Sequence, residues 1–106
     1  MIHIFGHKVP DTDSICAAIA YSYLKSELGQ EAEAYRLGEL NKETKLVLER
    51  FNIDVPPLLD SAADKDVILV DHNEFEQSAD DIEKANILEV VDHHKVKFSW
   101  DRPIYM

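Results

Sequence analysis

The sequence predicts an α/β domain, a mostly parallel sheet with flanking helices, and three observations carry that prediction. Short apolar runs of buried-strand type, Ile2–Phe5, Val67–Val70 and Ile87–Val91, alternate with segments whose apolar residues recur at helical spacing. Each run ends in a polar cluster containing Asp and His, where open parallel sheets place their ligand sites. The length, 106 residues, suits one domain with one modest core.

Ile2 to Phe5 is a first strand, ended by Gly6. Pro10 and the Asp11-Thr12-Asp13-Ser14 run form a loop of good helix-capping residues. From Ile15 onward, Ile15, Cys16, Ala18, Ile19, Tyr23, Leu24 and Leu28 trace the apolar face of a helix that Gly29 stops. Glu33 to Leu37 is a second strand. Lys42 to Phe51 is a second helix, with Asn41 as its cap and Leu46, Val47 and Phe51 on one face. Val55-Pro56-Pro57 breaks it. Val67 to Val70 is a strand. Ser78 to Lys84 is a short helix with Ser78 as its N-cap. Ile87 to Val91 is another strand, and Pro103 to Met106 opens one more. No charged tail or cap follows it.

Composition narrows the class. The chain is 45% hydrophobic with three Gly and four Pro, and it holds no repeat, no low-complexity stretch and no bilayer-length apolar run. The start, Met1-Ile2-His3-Ile4-Phe5, lacks the basic region and cleavage site of a signal peptide. A single cysteine, Cys16, forms no internal disulfide and fits a reducing, cytoplasmic setting; it is read as a packed thiol. The net charge of −10 argues against a nucleic-acid partner. It also repels anionic substrates unless bound cations invert the local field. Most of the negative charge (Glu31, Glu33, Glu76, Asp80, Asp81, Glu83) is read as solvated surface.

The chemistry concentrates in three clusters. Gly6-His7-Lys8-Val9-Pro10-Asp11-Thr12-Asp13-Ser14 follows the first strand. Asp11 and Asp13 can send carboxylates toward two adjacent cations, and His7 can share a metal with Asp11. Helix capping by Asp13 or Thr12 is the structural alternative. A helix N-terminus disfavours a bare cation and favours a phosphate, so a metal-bound phosphate satisfies both. Asp71-His72-Asn73 follows four aliphatic residues. A carboxylate at the mouth of a buried strand needs a partner, although a loop anchor is the simpler reading of Asp71 alone. His72 is read as a hydrogen-bonding support for a ligand. Asp92-His93-His94 follows Val91. Vicinal imidazoles point apart, so one of the pair ligates and the other faces substrate; an exposed polar turn is the alternative. Lys8 and Lys95 flank the clusters as phosphate contacts or as solvated lysines. His3, Trp100 and Tyr105 are read as packing or surface residues. Mixed imidazole and carboxylate donors suit borderline and hard divalent ions. No P-loop, Gly-x-Gly-x-x-Gly or nucleophile elbow is present.

Gly6-His7-Lys8-x-Pro10-Asp11-Thr12-Asp13-Ser14, Asp71-His72-Asn73 and Asp92-His93-His94, in that order, resemble the N-terminal domain of the family II inorganic pyrophosphatases. These are manganese-dependent members of the DHH phosphoesterase superfamily. The resemblance runs from Ile2 to Met106. It implies that His7, Asp11 and Asp71 hold one metal, that Asp13, Asp71 and His93 hold a second with Asp71 bridging, and that His94 contacts the attacked phosphate. It implies two Mn2+ ions, with Co2+ as a substitute and Mg2+ arriving with pyrophosphate, and a homodimer with no nucleic-acid or membrane partner. Two cations ~3.5–4 Å apart acidify a shared water and offset phosphoryl charge during in-line attack.

The resemblance also implies that this is the first part of a longer enzyme. A further Asp ligand and a second domain carrying a lysine and an Arg-Lys pair fall beyond residue 106. The expectation is a truncated chain, inactive or weakly active alone. Two other readings compete. Another DHH phosphodiesterase, acting on short oligonucleotides or cyclic dinucleotides, usually has glycine between the paired aspartates, where Thr12 stands here. A non-catalytic metal-binding or dimerisation module would bind metal without turnover.

Overall fold

The computed structural model describes residues 1–72, 74–92 and 104–105. Five strands, β1 (Ile2–Phe5), β2 (Ala32–Tyr35), β3 (Asp66–Val70), β4 (Asn86–Val91) and β5 (Ile104–Tyr105), form one sheet in the order β2-β1-β3-β4-β5. Every pairing is parallel, which bears out the α/β expectation. Two helices, α1 (Thr12–Glu27) and α2 (Lys42–Arg50), accompany it. The order runs outward from β1 to β2 on one side and to β3 on the other. The carboxyl ends of β1 and β3 therefore flank the point where the winding reverses, the place where such sheets leave a crevice.

The central strands are fully covered. Ile4, Ile68 and Val70 pack with Ala18 of α1 on one face, and Phe5, Val67, Leu69 and Val90 pack with Leu59 and Ile82 on the other. Burial on both faces explains why these strands read as continuous apolar runs. Between β3 and β4 the register slips by one residue: Val67 pairs with Ile87, but Ile68 pairs with Glu89. Leu88 is the extra residue of this bulge. It lets Ile87 and Val90 face one core while Leu88 and Val91 face the other.

The bulge also turns Glu89 toward α1. There Tyr21 Oη donates to Glu89 Oε1 at 2.5 Å and Lys25 Nζ to Glu89 Oε2 at 2.7 Å. This pairing corrects the expected apolar face of α1. Ile15 and Ala18 are buried, but the seam continues through Tyr21 and Lys25, leaving Tyr23, Leu24 and Leu28 exposed. The helix also starts three residues earlier than its apolar spacing suggests. It ends where expected, because Gly29 takes the left-handed conformation (φ 86°) that follows many helices.

Asn41 caps α2 as expected, its Oδ1 accepting from the Thr44 N–H at 2.8 Å. The buried face differs from the expected one: Thr44 and Leu48 point inward, while Leu46 and Phe51 are exposed. Two contacts decide this. Leu48 packs with Ile15 and Leu40, and the Thr12 and Thr44 hydroxyls meet at 2.9 Å. The second strand ends at Tyr35 rather than Leu37, because Arg36 leaves the sheet to bridge Leu58. The expected helix over Ser78–Lys84 is replaced by single 3₁₀ turns at Phe75–Gln77 and Ile82–Lys84. Ser78 is buried rather than capping, and Asp81 spends its carboxylate on the Ser61 hydroxyl and the Ala62 and Ala63 N–H groups. No described helix is long and apolar enough to cross a membrane.

Candidate metal centre

The site grows out of the first strand. Gly6 ends the chain's run along β1, and Ser14 Cβ lies only 2.6 Å from where a Gly6 Cβ would stand. Only glycine allows the start of α1 to fold back this closely on the strand. Asp11 is the N-cap: its Oδ1 accepts the Ser14 N–H at 2.9 Å, and Ser14 Oγ accepts the Asp11 N–H at 3.2 Å. This reciprocal pair corrects the capping alternative, since neither Asp13 nor Thr12 caps. Thr12 is in helix and bonds Glu43 and Thr44 instead. The loop is braced from two sides. The Lys8 N–H donates to the Gln77 carbonyl at 2.7 Å, and Gly38 brings its chain against the Lys8 carbonyl. Arg36 holds Gly38 there, donating to the Gly38 and Pro56 carbonyls at 3.0 Å each.

Asp71 enters from β3. Its N–H donates to the Val91 carbonyl at 2.8 Å, continuing the sheet pairing. Its φ of 58° then turns the chain sharply, a conformation that Asp and Asn tolerate better than most residues. The turn delivers its carboxylate beside His7. Nε2 of His7 lies 3.5 Å from Asp71 Oδ2 and 3.7 Å from Asp11 Oδ1. One donor atom from each of these three residues falls within 4.8 Å of the others.

These spacings are too long for hydrogen bonds. They lie close to the edge of a cation's coordination shell, about 3.0–3.5 Å for ligand bonds of ~2.1 Å. One imidazole nitrogen and two carboxylates, drawn together at ion-pair rather than hydrogen-bond distance, are a donor set that fits a borderline divalent cation. The cluster opens into a cavity of about 480 Å³. Asp13 lines the same cavity, exposed and outside the three-residue cluster. Glu76 and Gln77 line it from the 3₁₀ turn after Asp71. Glu76 therefore borders the site instead of merely dressing the surface. The spacing past Asp71 was the only signal for either residue, and a 3₁₀ turn has no period to read.

His72 is buried beneath the site, with its ring 6.4 Å from that of His7 and edge-on to it. Its Nδ1 lies 2.9 Å from the Val70 carbonyl. A carbonyl only accepts, so Nδ1 carries the proton there. Asp92 is buried at the end of β4. His93 and His94 lie outside the described residues, as do Asn73, Lys95 and Trp100. Lys8 points to Asp80, Nζ to Oδ1 2.6 Å. His3 stacks on Tyr35 with centroids 5.0 Å apart, away from the cluster. Burial, then the nearby Asp13 carboxylate, pushes the Cys16 thiol above its usual pKa, which disfavours a free thiolate.

A parallel α/β domain that gathers an imidazole and two carboxylates at its topological switch point has the donor set of a divalent-metal-binding domain. The chain matches the model of the DHH family, N-terminal domain, over residues 1–106, and it belongs to that family. It is 54% identical over 105 residues to a Bacillus licheniformis protein named "Probable manganese-dependent inorganic pyrophosphatase". It is 55% identical over 104 residues to an Oceanobacillus iheyensis protein of the same name. Each alignment covers 96% of this chain and 34% of the relative. In structure it resembles a Methanococcus jannaschii protein described as a "putative family II inorganic pyrophosphatase", with a TM-score of 0.89 and 41% identity over 99% of this chain and 34% of that one. The chain thus spans about a third of the length of the relatives it matches. These likenesses bear out the resemblance read from the three motifs.

Proposed function

We propose that the protein carrying this chain hydrolyses inorganic pyrophosphate to two phosphates at a dinuclear manganese site. The observation that carries the reading is the convergence of His7, Asp11 and Asp71 at the switch point, in a family whose similar members bear that activity in their names. Bound divalent cations supply Lewis acidity and an acidified water there. The chain's own residues then have distinct tasks. His7, Asp11 and Asp71 would hold one ion, and Asp13, Asp71 and His93 would hold the other. His94 contacts the attacked phosphate. The Nδ1–H bond of His72 fixes its ring beneath the ligands, and buried Asp92 supports the chain that leads to His93. Co2+ substitutes for Mn2+, and Mg2+ accompanies the substrate.

Residues 1–106 form the N-terminal part of the DHH domain, and the groups that clamp the substrate lie in a second domain. The enzyme is cytoplasmic and homodimeric, without nucleic-acid or membrane partners. The acidic residues around the cavity support this substrate choice, because a polynucleotide would meet the same repulsion over many more phosphates. The test is phosphate release by the full-length protein with Mn2+, from pyrophosphate, short oligonucleotides and cyclic dinucleotides side by side. Pyrophosphate is expected to be the preferred substrate by orders of magnitude. Preference for either nucleotide substrate would reassign the enzyme within the family. Metal binding without any turnover would make it a non-catalytic module.

A further inference from the structure

The cavity holding His7, Asp11 and Asp71 has one basic side chain of fixed charge among its described lining residues, Lys8. The remaining charged groups that border it, Asp11, Asp13, Asp71 and Glu76, are acidic. Lys8 is anchored by its main chain, whose N–H reaches the Gln77 carbonyl, so only its side chain is free to choose a partner. That partner is Asp80, at 2.6 Å. The two are unequally exposed: the Lys8 side chain is 42% exposed and the Asp80 side chain 93%. Lys8 also lines a second cavity of about 330 Å³, which Asp80 borders, so Lys8 stands between the two spaces with its partner on the far side. A carboxylate this exposed holds an ammonium weakly, because water screens the pair. A multiply charged phosphate oxygen is a stronger acceptor for the same ammonium.

We propose that Lys8 is a phosphate-binding residue at the rim of the metal cavity, and that Asp80 is a positioning residue which holds its ammonium in place until the phosphate of a phosphoanhydride displaces it. The inference rests on the pyrophosphatase reading and deepens it. Lys8 gives the chain its own grip on the substrate, independent of any ion and of any second domain. Asp80 sets how much of that grip is available, since each substrate must first release Lys8 from it.

The test is equilibrium binding of methylenediphosphonate, a non-hydrolysable diphosphonate, to the Mn2+-loaded full-length protein, with Mn2+ affinity measured separately. Lys8→Met is expected to weaken diphosphonate binding about three- to tenfold. Asp80→Asn is expected to tighten it about two- to fivefold, and the gain shrinks at high salt. In the Lys8→Met background, Asp80→Asn changes nothing, because its effect runs through Lys8. Mn2+ binding to Lys8→Met is at least as tight as to the unmodified protein, which a variant with a damaged site would not show. Unchanged diphosphonate affinity in Lys8→Met overturns the proposal, as does a full Asp80→Asn gain without the lysine. If the unmodified protein neither hydrolyses pyrophosphate nor binds the diphosphonate, the functional reading falls and this proposal with it. If hydrolysis stands and the variants bind as the unmodified protein does, only this proposal falls.

Discussion

Gly38 is far from the ligands in sequence, yet Gly38→Ala is expected to damage the metal centre. A Cβ at this position would stand 2.4 Å from the Lys8 carbonyl oxygen and 3.3 Å from Pro10 Cδ. Ordinary contact begins at 3.4 Å, so the chains must part by about 1 Å. The obstructing oxygen is backbone and cannot rotate away. Arg36 pins the Gly38 side through two carbonyls, and Gln77 pins the Lys8 side. The strain therefore falls on the His7–Pro10 loop. Overpacking of this kind costs about 1–3 kcal/mol. Shifting His7 against Asp71 should weaken Mn2+ binding about 10–100-fold, the usual effect of losing a ligand's support. Gly29→Ala is the control. It has no neighbour within 4 Å but a φ of +86°, so it costs about 1 kcal/mol through backbone strain alone. It sits at the far end of α1. Urea unfolding of the metal-free protein and calorimetric Mn2+ titration separate the two effects. Wild-type Mn2+ affinity in Gly38→Ala, or an equal loss in Gly29→Ala, would refute the reasoning.

Three further outcomes are expected. Asp71→Asn keeps a residue that tolerates φ 58° but removes the charge; Mn2+ affinity should fall about a hundredfold or more. Asp71→Ala, measured alongside, should lose roughly a further 1–2 kcal/mol of stability to the left-handed backbone. The Ser61 hydroxyl and the Ala62 and Ala63 N–H groups hold Asp81 down to about 2 from the usual 3.8. A carboxylate depressed on folding stabilises above its unfolded pKa, so this contribution is complete above pH 4 and fades as pH falls through 2. Asp81→Asn should flatten the acid limb of a stability–pH curve in that window and lower stability at pH 7; an unchanged acid limb would show that Asp81 contributes nothing there. Glu89→Gln keeps a partner for Tyr21 but leaves the Lys25 ammonium, 12% exposed, uncompensated. It should destabilise by about 1–3 kcal/mol in thermal or urea unfolding, and adding Lys25→Met should recover part of the loss.

Much of this architecture was legible because buried parallel strands leave a coarse signal. Four aliphatic residues before Asp71, and the run before Asp92, say both "strand" and "mouth of a strand". His7, Asp11 and Asp71 were legible for the same reason. What the sequence hid was set by contacts between distant segments. Nothing local says that Leu46 and Phe51 face water while Thr44 is buried; the Thr12 hydroxyl, 32 residues away in sequence, decides it. Nothing local marks Asp11 rather than Asp13 as the cap, because all four residues of that run are good capping residues. Gly38 looks like any loop glycine until the Lys8 carbonyl is seen beside it. Asp80 and Asp81 look like solvated charge, yet one holds Lys8 and the other organises the Ser61–Ala63 turn.

The extra residue in β4 makes strand length a carrier of information. Side chains alternate strictly along a strand, so one additional position before Glu89 reverses the parity of everything beyond it. Val90 reaches its core, and Asp92 leaves the sheet on its present side, only because Leu88 is an extra residue with no partner of its own on β3. Deleting Leu88 would leave the composition of the site almost untouched and yet re-aim the segment that leads to Asp92. Loss of one residue between Ile87 and Glu89 would therefore change the direction of the segment beyond it rather than merely shorten the strand.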